Sequence, residues 1–175
     1  MKKHIDLWEY AGEILEQVGT AALVTTKADD RVNTMTIGWG TLGVEWKKPL
    51  FTVFVRQSRY TKILLDKKGE FTINIPLKAM DRKQALGFCG SKSGRDVDKI
   101  KELGLHLEEP EAISVPGIKE FPLTLECRVV YKQDQDLSAL EEGKRLHYYK
   151  PGTHDDGDFH TAYYGEVLAA YIIED

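Results

Sequence analysis

Two hydrophobic periods alternate along this chain. Residues 6–18 place Leu7, Trp8, Ala11, Ile14, Leu15 and Val18 at three- and four-residue spacings, which predicts an amphipathic helix, with Gly19 behind it as a stop. The period then drops to two. Residues 20–26 make a short apolar strand closed by the polar turn Lys27-Ala28-Asp29-Asp30. A second strand covers about 33–41, with Thr34, Thr36, Gly38 and Gly40 on one face and Met35, Ile37, Trp39 and Thr41 on the other. The glycine face is nearly bare, which suits a bulge or barrel bend and also suits close approach of a ligand to the backbone.

Residues 50–55 alternate as a strand and 60–68 read as a short helix. A further strand at 70–76 carries the polar Asn74 and ends at Pro76. Helical patterns follow at 79–88 and at about 96–103. Residues 104–121 hold Pro110, Pro116 and Gly117 with little periodicity, and read as a long surface excursion. Residues 122–134 alternate over a long strand, with Leu123, Leu125, Cys127 and Val129 on its apolar face. A short helix is expected within 136–146, then a polar connection over 147–160. The closing strand at 161–174 sets Tyr163, Gly165, Val167, Ala169 and Tyr171 on one face. At least six strands without a βαβ rhythm or a repeat predict a mainly β domain over 1–175, an antiparallel barrel with peripheral helices.

Composition narrows the partners. Net charge is −4 from 24 basic and 28 acidic residues, so bulk electrostatics favour neither nucleic acid nor an anionic membrane, and any phosphate recognition must be local. Cys89 and Cys127 match neither a disulfide framework nor a zinc spacing. The opening residues lack the apolar run of a signal peptide and no stretch is long enough to span a bilayer, so a cytoplasmic protein is expected.

Candidate chemistry gathers in two segments. Arg56-Gln57-Ser58-Arg59-Tyr60-Thr61 stands at a strand-to-helix junction, where free N–H groups and the helix dipole favour an anion. The same residues also fit a plain Ser58 N-cap with surface ion pairs. Residues 89–96, followed by Lys99, form a glycine- and serine-rich loop carrying Lys92 and Arg95 that matches neither GxxxxGK[ST] nor GxGxxG. Cys89 reads either as a redox thiol or, lacking a resolving partner, as a small apolar residue, and the second is preferred. His147, His154 and His160 with Asp155, Asp156 and Asp158 fit no standard metal spacing and read as a solvated loop.

Four stretches in order carry a resemblance: Asn33 to Thr36 with Gly38-Trp39-Gly40; Arg56 to Thr61; Phe71 to Pro76; and Cys89-Gly90 with Ser93 to Asp96 and Asp98-Lys99. With the closing segment from His160 to Val167, the chain resembles the flavin reductase-like proteins of the FMN-binding split-barrel superfamily, in the flavoredoxin-type branch. The resemblance implies a split β-barrel of Greek-key-like antiparallel strands, a homodimer, and FMN held non-covalently near the subunit interface. It implies an oxidoreductase moving electrons from NAD(P)H or another donor to an acceptor, an electron-acceptor protein among the options, or alternatively a non-catalytic electron carrier or flavin sensor. A pyridoxamine-phosphate-oxidase-like or haem-binding relative of the same barrel is a third reading. Carried over residue by residue, Thr36 and Trp39 with their glycine neighbours, Gly40 among them, would border the flavin ring. Arg56, Ser58, Arg59 and Thr61 would take the phosphate with Asn74 nearby, Ser93, Arg95 and Lys99 would close over the phosphate or the ring edge, and Asn33, Thr34, Met35, Tyr60, Cys89 and Gly90 complete the cofactor-binding set. No catalytic side chain and no metal ligand is nominated.

Overall fold

The computed structural model describes residues 1–20, 22–77 and 80–174. Its strands are β1 (Lys2–His4), β2 (Ala22–Ala28), β3 (Arg31–Ile37), β4 (Gly40–Glu45), β5 (Lys48–Arg56), β6 (Glu70–Ile75), β7 (Leu107–Glu108), β8 (Gly117–Ile118), β9 (Leu123–Asp134) and β10 (His160–Ile173). The helices are α1 (Ala11–Thr20), α2 (Tyr60–Lys68), α3 (Lys83–Ser91), α4 (Lys99–Leu103) and α5 (Glu142–Tyr148). No helix among the described residues is long and apolar enough to cross a membrane.

One antiparallel sheet runs in the order β3-β2-β6-β9-β10-β5-β4, with β1 added along the end of β10. Its two outermost strands, β3 and β4, are consecutive in sequence and joined by Gly38 and Trp39 alone. Three Cα–Cα steps span at most about 11 Å, so the sheet must curl until those two edges meet at that end. The result is a barrel left unpaired along one seam.

The inner faces supply the core. Phe51, Val53 and Val55 of β5, Phe71, Ile73 and Ile75 of β6, and Leu123, Leu125 and Cys127 of β9 are fully buried in one cluster with Ile14 and Val18 of α1. Gly165 makes room for this packing, because a Cβ there would come within 2.5 Å of the Phe71 ring. A second cluster of Leu23, Cys89, Ile118 and Phe121 seats α3 and α4 on the other side of the sheet.

Several expectations shift against this frame. The first helix begins at Ala11, since Asp6 takes the Trp8 N–H into a turn at 2.8 Å, and it runs through Gly19 to Thr20. Trp8 and Leu15, expected in its apolar stripe, are about half exposed. The strand expected over 33–41 is two strands broken at Gly38-Trp39. The predicted helices at 79–88, 96–103 and 136–146 are found at Lys83–Ser91, Lys99–Leu103 and Glu142–Tyr148. Asp98 delays the second by capping Lys101 N–H at 3.1 Å. Ala21 and Ala79, within the ranges expected for a strand and a helix, lie outside the described residues.

The 104–121 excursion contains the β7–β8 hairpin and is tied down by carboxylates. Fully buried Glu126 accepts the N–H groups of Glu111 and Ala112, and Glu70 accepts the N–H and hydroxyl of Ser114. Along β10, register shifts after Tyr164 and Val167 break the single face expected of it: Tyr163 joins the main core while the Tyr171 hydroxyl donates to Glu126 at 2.8 Å.

Asp66 of α2 joins three elements, accepting from Lys62 (2.7 Å), from Lys132 of β9 (2.7 Å) and from the Tyr163 hydroxyl (2.8 Å). Burial pushes its carboxyl up, but the hydrogen bonds from Lys132, Lys62 and Tyr163 outweigh it and bring the pKa down to about 2. A carboxyl lowered by folding contributes stability above its unfolded value of about 3.9 and loses it as pH falls towards about 2. The stability difference between wild type and Asp66→Asn, measured by urea unfolding, is therefore expected to be full above about pH 4–5 and to shrink through the acid range.

Candidate functional site

Two adjoining cavities open at the seam. The larger, about 210 Å³, lies between the 35–39 segment and the start of β10, with Trp39, Phe54, Arg56, Arg59 and His160 around it. The smaller, about 80 Å³, is bounded by Asn33, the 58–61 junction, the 92–95 loop and Lys99. Met35, Arg59 and Gly90 belong to both walls, so the two form one continuous site.

The small cavity is built around cations. Lys99, the first residue of α4, is only 4 % exposed, and its ammonium donates to the carbonyls of Thr34 (2.9 Å) and Cys89 (2.8 Å). Those two bonds leave one of its three donors for the cavity. Among the described residues no carboxylate pairs with it, because Asp98 beside it is spent on its cap. Burial lowers the Lys99 pKa, and the nearby Arg59 adds to the effect. Arg59 likewise has no ion pair among the described residues and lies on the wall of both cavities. Lys92 and Arg95 line the same cavity without an ion pair among the described residues, so its positive charges have no resident counter-ion there.

The loop over this cavity is fastened to its floor. Arg31 donates to the Gly94 carbonyl at 2.6 Å and Arg95 to the Ser58 carbonyl at 3.0 Å. The two guanidiniums flank the Tyr60 ring, 5.4 and 5.5 Å from its centroid. Beneath them Asn33 donates to Thr61 Oγ1 at 3.0 Å, and Thr61 turns its hydroxyl towards Met35 Sδ at 3.6 Å. Asn33, Met35, Arg59, Thr61, Ser93, Arg95 and Lys99 thus come together from three separate stretches of sequence.

A strap of residues 148–159 packs behind the larger cavity's wall, against Arg56 and Trp39. Arg56 donates to Asp155 Oδ1 and to the Tyr148 carbonyl, both at 2.9 Å. Asp158 accepts the Ser58 N–H at 2.9 Å and its hydroxyl at 2.7 Å. Trp39 packs edge-on against Tyr148, centroids 5.1 Å apart, and lies 4.7 Å from the His160 ring.

Several expected site residues spend their side chains on the protein's own groups. Asn74, expected near the phosphate, is fully buried and spent: its Nδ2 donates to Thr25 and Thr72 hydroxyls and its Oδ1 accepts the Ile118 N–H. The Thr34 hydroxyl belongs to this same core network through Thr25 at 3.1 Å. The Cys89 thiol packs with Leu23, Ile118 and Phe121, and burial pushes its pKa up to about 11, so only its carbonyl serves the site. Thr36 donates to the Leu86 carbonyl at 2.6 Å, fastening α3 under the wall. Arg56 and Ser58 face the strap's carboxylates, and the 147–160 connection is not a uniformly solvated loop, since His160 is 7 % exposed. Arg31, Phe54, Tyr149, Asp155 and Asp158 were not singled out for the site from the sequence; their positions depend on strand pairing and a loop docking that local spacing does not encode.

A family model for the flavin reductase like domain matches residues 18–175. An uncharacterized protein of Archaeoglobus fulgidus is 31 % identical over 128 residues, covering 73 % of this chain and 71 % of that one. A flavoredoxin of Desulfovibrio vulgaris superposes with a TM-score of 0.66 at 25 % identity, over 88 % of this chain and 69 % of its own. The flavoredoxin from Methanosarcina acetivorans gives a TM-score of 0.63 at 30 % identity, over 88 % and 68 %. The architecture is the split barrel of flavin reductase-like proteins.

Gly94 leaves no room for a side chain: a Cβ there would come within 2.0 Å of Asn33 Oδ1 and 3.0 Å of the Tyr60 ring. Gly94→Ala must push Asn33 off Thr61 or lift the loop. The expected loss of stability is about 1–3 kcal/mol, the usual range for overpacking, read by urea unfolding.

Proposed function

The chain belongs to the flavin reductase like domain family, and from that premise we propose that it is an FMN-binding oxidoreductase, taking electrons from NAD(P)H or another donor and passing them to an acceptor. The observation that carries this reading is Lys99. A buried ammonium with no carboxylate partner is costly unless an anion completes it, and here a second uncompensated cation, Arg59, shares the same small cavity. The larger cavity beside it has Met35, Trp39 and Phe54 on its walls, which suits a flat ring. A dianionic group joined to a planar apolar body fits both chambers at once. The donor set thus fits FMN.

The roles follow from the positions. Arg59 and Lys99 would neutralise the phosphate, with the Thr61 and Ser93 hydroxyls and Asn33 as neutral partners. The ring would lie along residues 35–39, where Gly38 and Trp39 stand outside both strand ladders and can offer backbone N–H groups to its polar edge. When bound, FMN supplies the two-electron chemistry itself. The protein's share is to hold the ring, exclude water with Trp39 and the strap, and set the charge around it.

A second reading, an FMN-holding carrier without turnover, draws on the strap, since Tyr148 packed on Trp39 leaves less room beside the larger cavity. Anaerobic mixing with NADH or NADPH separates the two: bleaching of the flavin band supports the enzyme and an unchanged spectrum supports the carrier. We further propose a homodimer through the outer sheet face, where Trp46, Tyr131 and Tyr164 stand in a row with centroids 6.2 and 5.2 Å apart and Trp46 is 58 % exposed. Light scattering is expected to give two copies of the 19.9 kDa chain, and Tyr131→Lys to give one.

Flavin fluorescence quenching tests the phosphate seat. Arg59→Ala and Lys99→Met are each expected to weaken FMN binding by about 1.5–3 kcal/mol, the worth of a charged hydrogen bond. Arg56→Ala is expected to cost less, because its guanidinium is committed to the strap. Unchanged affinity in both of the first two variants would move the phosphate elsewhere, and a colourless protein that ignores added FMN would defeat the reading.

A further inference from the structure

The inner end of the strap sets the chemistry of one wall of the larger cavity. His160 opens β10 opposite Arg56 and is nearly buried. Its Nδ1 lies 2.5 Å from the hydroxyl of Tyr149, which is itself only 4 % exposed and donates to Gln135 Oε1 at 2.8 Å. A tyrosine has one proton to give. With that proton on Gln135, the short contact to His160 holds only if the imidazole supplies the hydrogen, so Nδ1 carries it. Nε2 is then the bare nitrogen.

Nε2 has no protein partner among the described residues. Nor is it a sealed orphan, because no buried side-chain nitrogen or oxygen among them lacks a hydrogen bond. It therefore opens on the space that His160 lines, the larger cavity. The surroundings keep the ring neutral. Burial, reinforced by the Arg56 and Arg59 guanidiniums and opposed by the Asp158 carboxylate, lowers its pKa to about 4. Arg56 also lies over the Tyr149 ring, 5.2 Å from its centroid.

We infer that Tyr149 is a positioning residue: with Gln135 as its acceptor it fixes neutral His160 as the Nδ1–H tautomer, so that this wall offers the bound ligand a hydrogen-bond acceptor at Nε2. The complementary ligand edge carries an N–H or O–H donor, as an amide- or imide-bearing heteroaromatic ring does, and a carboxylate or carbonyl edge is disfavoured there. The ligand half of this inference rests on the FMN reading; the tautomer does not.

Long-range proton–nitrogen correlation on ¹⁵N-histidine-labelled full-length protein without ligand reads the tautomer directly. Wild type is expected to show a protonated Nδ1 and an unprotonated Nε2 for His160 between pH 6 and 8. Tyr149→Phe removes the partner, and the signals should move towards the Nε2–H form favoured by free imidazole. Gln135→Leu is the sharper variant: it frees the tyrosine proton for Nδ1 and should invert the tautomer while leaving Tyr149 in place. Adding FMN as the probe should shift Nε2 more than Nδ1 in wild type, with affinity falling by about five-fold in Tyr149→Phe, the scale of one neutral hydrogen bond. An Nε2–H or doubly protonated His160 in the wild type at neutral pH overturns the inference, as does a Gln135→Leu spectrum identical to wild type. Should FMN bind without moving Nε2, the acceptor role falls even with the tautomer as stated. If FMN fails to bind wild type at all, the functional reading falls while the nitrogen shifts still judge the tautomer.

Discussion

A two-residue tether dictates where this molecule can have a site. Gly38 and Trp39 join the opposite edges of one sheet, so those edges must approach, yet they share no ladder. Unpaired edges are ordinarily an aggregation hazard, and barrels manage it by closure. Here the edge is left open where the chain turns from one border strand to the other. The larger cavity lies against that opening, walled by the end of β3 and the Gly38-Trp39 link on one side and by Phe54 and Arg56 of β5 and His160 of β10 on the other. Packing elsewhere serves this seam: Phe71 crossing Gly165, α1 seated on the core and the carboxylate-tied excursion all fix the curl.

Charge divides the site into two regimes. On the strap side of the larger cavity Arg56 is answered by Asp155, and Ser58 beside it is locked to Asp158. Around the small cavity the charges are held by neutral groups, carbonyls for Lys99 and an aromatic ring between Arg31 and Arg95. A carbonyl orients an ammonium without cancelling it. The protein stores an electrostatic deficit at one spot and spends its carboxylates a few residues away, an arrangement that favours one small anion in one orientation.

The strands were readable from the sequence because alternation reports the core-facing side, and the apolar faces of β5, β6 and β9 lie in the core as expected, while Thr72 and Asn74 on the other face of β6 are buried as well. The first helix was misplaced at its start because its boundary depends on an Asp6 turn rather than on the apolar stripe. Within the site, Arg59, Thr61, Ser93 and Lys99 were legible as cationic and hydroxyl-bearing residues near turns. Asn74 was not separable from them, since a polar residue in a strand looks the same whether it meets a ligand or two buried threonines. Arg56 and Ser58 stand on the cavity walls, but their side chains meet carboxylates about a hundred residues later, a contact that only the strap's docking creates. His160 looked like the end of a polar loop, yet it is the first residue of a buried strand.

Both cysteines end up sealed, Cys127 inside the barrel and Cys89 on the buried face of α3, with burial pushing each thiol's pKa upward. A buried thiol is a poor nucleophile, so neither reacts until the layer covering it comes away. The two sulfurs therefore act as separate clocks. Labelling of Cys89 times the lifting of the helices beside the seam, labelling of Cys127 times the rupture of the sheet, and their ratio measures how independently the binding end of the molecule breathes from the rest.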